Sequence, residues 1–451
     1  MDIKKYISNS IILSKVFKLD AHTQEVVFKS AASITVKSLG MLATMVFSIV
    51  LGRTLGAEGV GIINLSNRIV SLLLVLVLCG LPTAIMKLVS IAYSKQNWQT
   101  IVNVMHTARV ISGLLSFFCL ILGLLLVDWL CFSVFNEPNL RLPLMIGLVA
   151  MIPQTFSRIY APGLEGFKKM WQASLVDNTL SACFVLIAIL TMWVLQIKIT
   201  VVSVSLIYAI SRLVVAVTIG SYWRKLTGVR MKEIKPRLEI GKMLKISMPF
   251  FVNSALAVIA WNVDAIMIGW LSDAKQVGLY VAAINLALLT GFFSQVSNVV
   301  INPKIAVLFA EGKIQELELM VQRITYGLTI IASVSLFLFL IFGRFILSLW
   351  GTEFESAYFI LVILCCGQFF NVATGCVGSL LSMCGHEKLE ARLSTTILIS
   401  NIILNYFLIT HFGATGAAFA TTFTLSAGML VRLIAVRRKL NISIWSGFKK
   451  T

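Results

Sequence analysis

Asn64, Asn67, Arg68 and Ser71 recur at i, i+3, i+4 and i+7, so on a helix they make one polar stripe with a guanidinium in it. A cationic group flanked by amides and a hydroxyl can hold an anion through charge-assisted hydrogen bonds. Lys37 stacks with Ser33, Thr44 and Ser48 in a second stripe, suited to a cytoplasmic entrance. Both cations have a second reading, a long side chain that snorkels its charge to an interface. Asp264 lies one helical face along from Asn253. Its carboxylate suits a sodium ion or a proton, a pairing with Arg68, or a plain hydrogen-bonding role near the helix end. Ser294, Gln295, Asn298 and Asn302 line another stripe, with Gln368 and Asn371, and then Asn401 and Asn405, further on. Such groups either contact hydroxyl-rich ligands or join helices. Arg158, Asp177, Arg212 and Arg432 are the remaining charges in or beside apolar segments. The matching positions of Arg212 and Arg432 favour a shared structural role over ligand contact.

The elements that must position these groups are apolar stretches of about 20 residues, the length that crosses a hydrocarbon core about 30 Å thick. Twelve are expected: 31–51, 62–86, 110–133, 142–162, 172–195, 199–221, 246–270, 277–302, 325–348, 357–382, 394–411 and 413–436. Composition agrees, at 58% hydrophobic and 13% charged. Arg68 then lies roughly 10 Å deep, at about 1.5 Å of rise per residue. Of the 38 Lys and Arg, only Arg53, Arg141, Lys198, Lys275 and Arg344 fall on one side, and Arg68, Arg212 and Arg432 fall within spans. The rest share the other side, which is therefore cytoplasmic, together with both termini. The net charge of +19 is thus dispersed over short loops facing anionic lipid headgroups, and nucleic acid is not an expected partner. Residues 1–30, interrupted by Lys15, Lys18 and Asp20, read as a cytoplasmic amphipathic segment and not a signal peptide.

A basic segment, 222–245, separates two sets of six spans, 31–221 and 246–436, and a tail follows at 437–451. The halves echo each other. Gly52 and Gly61 in the first match Gly269 and Gly278 in the second at one constant interval, and Lys87 matches Lys304 at that same interval, each at a cytoplasmic helix end. Gly166-Phe167-Lys168-Lys169 is echoed by Gly385-His386-Glu387-Lys388, and Ser211-Arg212-Leu213-Val214 by Val431-Arg432-Leu433-Ile434. Six helices return the chain to its starting side, so the repeats are parallel and related by an axis along the membrane normal, as in transporters whose halves rock about a midplane site. Pro82, Pro153, Pro162, Pro249 and Pro303 permit bending.

Three stretches carry a family resemblance. Leu51-Gly52-Arg53-Thr54-Leu55-Gly56-Ala57-Glu58-Gly59-Val60-Gly61, then Asp264 to Gly269 with Val277-Gly278-Leu279-Tyr280, then Asn405-Tyr406-Phe407-Leu408-Ile409 with Phe412-Gly413-Ala414-Thr415-Gly416-Ala417-Ala418-Phe419-Ala420-Thr421, resemble the signatures of Wzx-type polysaccharide flippases. These belong to one superfamily with multidrug and toxic compound extrusion exporters and lipid II flippases. The resemblance implies an all-α integral membrane protein, twelve helices in two pseudo-symmetric six-helix bundles, of the MATE-like transporter fold. It implies a flippase carrying undecaprenyl-pyrophosphate-linked oligosaccharide repeat units to the outer leaflet of a bacterial cytoplasmic membrane by alternating access, for O-antigen, capsule or exopolysaccharide. One chain with two pseudo-symmetric halves can form the whole path, so a functional monomer is expected, in association with polysaccharide polymerase machinery and with Na+ or H+ as candidate coupling ion. Cationic groups such as Lys37 and Arg68 would meet the pyrophosphate. A cation-coupled drug exporter of the same superfamily is the alternative.

A glycan enzyme is the second alternative and fits poorly. No loop is long enough to fold alone, no Asp-x-Asp occurs, and His22, His106, His386 and His411 are scattered. The eight cysteines show no C-x-x-C spacing and read as small packing residues. No cofactor and no metal centre is expected.

Overall fold

The computed structural model describes residues 21–231 and 234–445, with the side chains of 21–34, 37, 177–178, 229–231 and 299–300 outside the description. All regular structure among the described residues is helical: α1 (Ala21–Leu78), α2 (Leu81–Ser94), α3 (Trp98–Trp129), α4 (Arg141–Gly166), α5 (Met170–Ser174), α6 (Leu180–Val194), α7 (Val201–Met231), α8 (Ile240–Leu271), α9 (Ala274–Ala310), α10 (Ile314–Ser348), α11 (Tyr358–Ala373), α12 (Val377–Met383) and α13 (Glu387–Leu440). Helices are what apolar segments must form in lipid, where each backbone N–H and C=O needs a partner from the chain itself. Phe118, Leu125, Trp193, Phe337 and Phe345 are exposed, which suits side chains that face acyl tails. The protein is a multi-pass membrane protein.

Nine helices among the described residues are long and apolar enough to cross a membrane. At the breaks expected after 31–51 and after 394–411, two helices meet across a kink at a single glycine. α1 runs for 58 residues with only Gly56 out of helical geometry (φ 67°, ψ −175°), and α13 for 54 residues with only Gly413 out of it (φ 56°, ψ −137°). Positive φ is available to glycine without a Cβ penalty. Each kink frees the next N–H, and a side chain from another helix segment accepts it: Glu353 Oε2 from Ala57 N at 3.4 Å, Gln276 Oε1 from Ala414 N at 2.6 Å. The expected stretch 172–195 is helical to Val194, with a π-helical turn, Leu175–Thr179, joining α5 to α6. The expected helix over 62–86 is broken by positive φ at Cys79 and Gly80, and α2 restarts with Pro82 in its first turn.

The cores divide along the length of the bundle. At the end that holds Gly56 and Gly278 one cluster draws on both parts of the chain: Phe47, Leu51, Val60 and Ile63 pack with Val277, Tyr280, Val281, Trp350 and Phe354. Towards the opposite end lie two further clusters. One gathers Ile85, Val89, Met105, Leu164, Trp223 and Met243, with Ile246 and Phe250 of α8 packed against it, and the other Ile305, Val321, Leu380, Leu381 and Val436. The two parts also approach closely at Gly80, where a Cβ would overlap Ser247 O and Phe251 N of α8.

The segment between α7 and α8 is strapped to α3. Asn103 Oδ1 accepts from the Arg237 amide at 2.9 Å, and Asn103 Nδ2 donates to Glu239 Oε1 at 3.0 Å. Thr107 Oγ1 accepts from the Glu239 amide at 3.1 Å, and Gln99 donates to the Lys235 carbonyl at 3.0 Å. Hydrogen bonds from Lys242 and Asn103 hold the Glu239 carboxyl below the usual carboxylate range. A lowered folded pKa stabilises the strap above the ordinary carboxylate value, and that contribution is lost as pH falls through the lowered one. We expect Asn103→Ala to speed amide hydrogen exchange over 235–239 by about tenfold, given roughly 0.5–1.5 kcal/mol per hydrogen bond. Exchange corrected for intrinsic rate should rise in the parent only below the ordinary carboxylate range. Unchanged exchange in the variant would show that the strap is held elsewhere.

Candidate functional site at the seam between the halves

The stripe on the second part of α1 divides its members among different partners. Asn64 turns back to its own helix, donating to the Val60 carbonyl at 2.8 Å. Asn67 Oδ1 accepts from Arg212 Nη2 of α7 at 2.9 Å, in a small polar cleft also lined by Ser66, Ser205 and Tyr208. The Arg212 guanidinium lies 5.9 Å from the Tyr208 ring centroid, within cation–π range, and Arg158 is near enough to act on it electrostatically. Ser71 is half-buried.

Arg68 Nη1 crosses to the second half and donates to the Trp261 carbonyl of α8 at 2.7 Å, and its buried Nε has no partner. Trp261 and Asp264 are less than one helical turn apart. Arg68 and Asp264 interact electrostatically, but the guanidinium is bonded to backbone and not to the carboxylate.

Asp264 sits in a network supplied by α9 and α13. Its Oδ2 accepts from Tyr280 Oη at 2.7 Å and Thr421 Oγ1 at 2.8 Å. Its Oδ1 accepts from Asn405 Nδ2 at 2.7 Å. Asn405 also donates to Asn401 Oδ1 at 3.0 Å, and Asn401 reaches Thr424 Oγ1 at 3.3 Å. The Asn405 Oδ1 atom is buried without a partner. A carboxylate ringed by hydroxyl and amide groups is a donor set that a hard cation could take once those groups turned their oxygens to it. Among the described residues, no three His, Cys, Asp or Glu side chains group as a metal site.

Other sequence candidates are placed differently. Asn253 is exposed, and Asp264's hydrogen bonds go to Tyr280, Asn405 and Thr421 instead. Ser48 is buried and accepts from Trp350 Nε1 at 2.9 Å, and Thr44 turns to its own helix, so those members of the Lys37 stripe serve packing. The side chains of Lys37 and Asp177 lie outside the described residues. Gln295 is exposed, while Asn298 is half-buried with an unpartnered Oδ1. Lys87 and Lys304 are both exposed. Arg53 bridges the halves, donating to the Leu349 carbonyl at 2.7 Å. Arg432 is held by Glu390, at 2.9 Å from Nε and 2.7 Å from Nη2, with Ser394 at 2.8 Å from Nη2. Tyr280, Thr421 and Glu390 carry no periodic signal that would mark them. The first two stand in motif stretches, where apolar neighbours hide their chemistry.

The family model described as polysaccharide biosynthesis protein matches residues 26–309. The chain belongs to the polysaccharide biosynthesis protein family. The MatE family model matches residues 249–407. Among curated proteins, the chain is 26% identical over 169 residues to the "Probable low-salt glycan biosynthesis flippase Agl15" of Haloferax volcanii, a match covering 37% of this chain and 36% of that one. It is 24% identical over 178 residues to the "Capsular polysaccharide biosynthesis protein CapF" of Staphylococcus aureus, covering 39% and 45%. The chain thus spans less than half the length of either curated relative. Among solved structures, it resembles an inward-facing multidrug resistance MATE family transporter (TM-score 0.75, 14% identity, 91% of this chain and 98% of that one). It also resembles the lipid II flippase MurJ in an inward closed conformation (TM-score 0.72, 15% identity, 91% and 87%). The fold is theirs. Agl15 and MurJ are named as flippases and the MATE protein as a transporter.

Arg432 and Glu390 are nearly enclosed, with side-chain exposures of 10% and 17%. Removing one partner of such a pair strands the other charge. We expect Glu390→Ala to destabilise the folded protein by about 3 kcal/mol in unfolding measured in detergent. The double change Glu390→Leu with Arg432→Met should recover most of that loss. A single variant as stable as the parent would remove the pair from the structural frame.

Proposed function

We propose that this protein is a flippase that moves a polyprenyl-pyrophosphate-linked oligosaccharide from the cytoplasmic to the outer leaflet by alternating access. On this reading the substrate is an undecaprenyl-pyrophosphate-linked repeat unit for surface polysaccharide. The chain crosses a bacterial cytoplasmic membrane twelve times, as two six-helix bundles over 31–221 and 246–436, and both termini are cytoplasmic. It acts as a monomer, beside polysaccharide polymerase machinery.

The observation that carries the reading is Arg68, a guanidinium within an apolar helix at the seam of the two halves, whose buried Nε–H has no partner. An intramembrane charge is costly and marks a pathway or a partner, and a pyrophosphate is the anion whose planar oxygen pairs a guanidinium fits. Family membership and the glycan-related names of both curated relatives support the same class of substrate. The Asp264 network supports a cation, Na+ or H+, moving in exchange, with Asp264, Asn405 and Thr421 as its oxygen donors.

Arg68→Ala should lower flipping by at least about tenfold at matched membrane levels, because a charged hydrogen bond is worth roughly 1.5–3 kcal/mol, while Lys275→Ala, exposed at the outer end, should not. Asp264→Asn should remove the dependence on the driving ion. Mass spectrometry of the lipid fraction from depleted cells reads the outcome, as accumulation of a polyprenyl-pyrophosphate oligosaccharide on the cytoplasmic face. An unchanged lipid-linked pool, with loss of resistance to cationic dyes, would instead assign the protein to drug export.

A further inference from the structure

The outer end holds a contact that only two glycines permit. Gly61 of α1 lies against the Ala274 carbonyl at the start of α9, so that a Cβ built on Gly61 overlaps that oxygen. Gly278 of α9 lies in turn against the Ala57 carbonyl of α1, with the same overlap. Gly278 stands at the repeat interval from Gly61, and Ala274 stands at that same interval from Ala57. Each repeat therefore presents one glycine to the other repeat's carbonyl, and the pseudo-twofold axis passes between them. Ala57, Val60, Val277 and Val281 around the crossing are buried.

Two features distinguish this crossing from an ordinary small-residue packing contact. It lies within a core that draws on both halves, and it is reciprocal, whereas another close approach of the two backbones, Gly80 against Ser247 and Phe251 of α8, is one-sided. The side-chain hydrogen bonds beside it are few: Arg53 to the Leu349 carbonyl, Glu353 to the Ala57 amide at 3.4 Å, and the buried Trp350 Nε1 to Ser48 at 2.9 Å. Glycine here lets the backbones touch without interlocking side chains, which makes a contact close enough to exclude substrate yet simple to part.

We propose that Gly61 and Gly278 form an outer latch, a reciprocal backbone-to-backbone crossing whose separation is the step that opens the protein to the outer side. The overlaps are with backbone atoms on both sides, so no rotamer change relieves a Cβ placed there. The relief is parting of the two helices, and each belongs to a different half. A Cβ at either glycine therefore shifts the population of states from closed to open at the outer end. What the opening releases rests on the flippase reading; the latch itself does not, because its test reads geometry alone.

The test places spin labels at the exposed Thr54 and Lys275 through Thr54→Cys and Lys275→Cys, in a background with the eight native cysteines replaced, and reads distances by pulsed electron resonance in nanodiscs. Gly61→Ala and, on the other helix, Gly278→Ala should each raise the ratio of separated to crossed ends by at least about tenfold, about 1.4 kcal/mol. The double variant should add little to either single one, since one separation relieves both overlaps; independent damage would be additive. A parent-like distance distribution in folded Gly61→Ala would overturn the latch, as would additive effects. Should both variants fail to fold, the labelled parent decides. One short distance, unchanged by pH, sodium or the lipid, would identify a fixed seam, while a second, longer population is the expected result. Impaired flipping with unchanged distances leaves the transport reading standing and removes the latch.

Discussion

Backbone N–H and C=O groups in lipid have to be satisfied by the protein itself, and much of this molecule's arrangement follows from how they, and the charges inside its helices, find partners. Where the backbone must turn sharply, at Gly56 and Gly413, a carboxylate and an amide from distant segments cap the freed N–H groups. Where a carboxylate stands inside a helix, Tyr280, Asn405 and Thr421 from two other helices surround it. Where a guanidinium stands inside a helix, a backbone carbonyl of the other half accepts its proton. Each solution ties together segments far apart in the chain, so the polar minority fixes which apolar helices are neighbours. Apolar packing alone discriminates poorly here, because lipid tails are as apolar as the side chains they would replace.

Much of this is legible in the residues. Apolar runs and one-sided Lys and Arg declare a multi-pass protein, and the constant interval between matched glycines declares the duplication. The reciprocal crossing of Gly61 and Gly278 is the physical counterpart of that interval. Arg68 and Asp264 stand out because charges within apolar runs are rare. The breaks after 31–51 and after 394–411 are legible in their glycines, and each is made by one positive-φ residue, Gly56 or Gly413, at which two helices meet. The partners of Asp264 are harder to see. Asn401, Asn405 and Thr421 lie far along the chain, and one-dimensional periodicity reports the face a side chain is on, not the helix it meets. Arg53 is the same case, exposed as expected, with its hydrogen bond to a carbonyl 296 residues on.

The repeats have diverged most where charge is concerned. Arg432 corresponds to Arg212, and the same step back from Glu390 reaches Met170. Arg432 is therefore neutralised by a carboxylate of its own half, while Arg212 has an amide and an aromatic ring. Asp264 shows the reverse inequality, since the interval that pairs Gly61 with Gly278 pairs it with Phe47, buried in the shared core. The first half thus carries arginines held by neutral groups, and the second a carboxylate held by neutral groups. On the proposed reading, an anion and a cation then have different hosts. Arg68 links them, because its bond to the Trp261 carbonyl ends within a turn of Asp264 and spans the seam. Separating the halves there would break that bond and alter the surroundings of the carboxylate together. A ligand that draws Arg68 away from α8 changes the field at Asp264, and a cation at Asp264 changes the field at Arg68. The two occupancies are then coupled in both directions by the same free energy, as linkage requires.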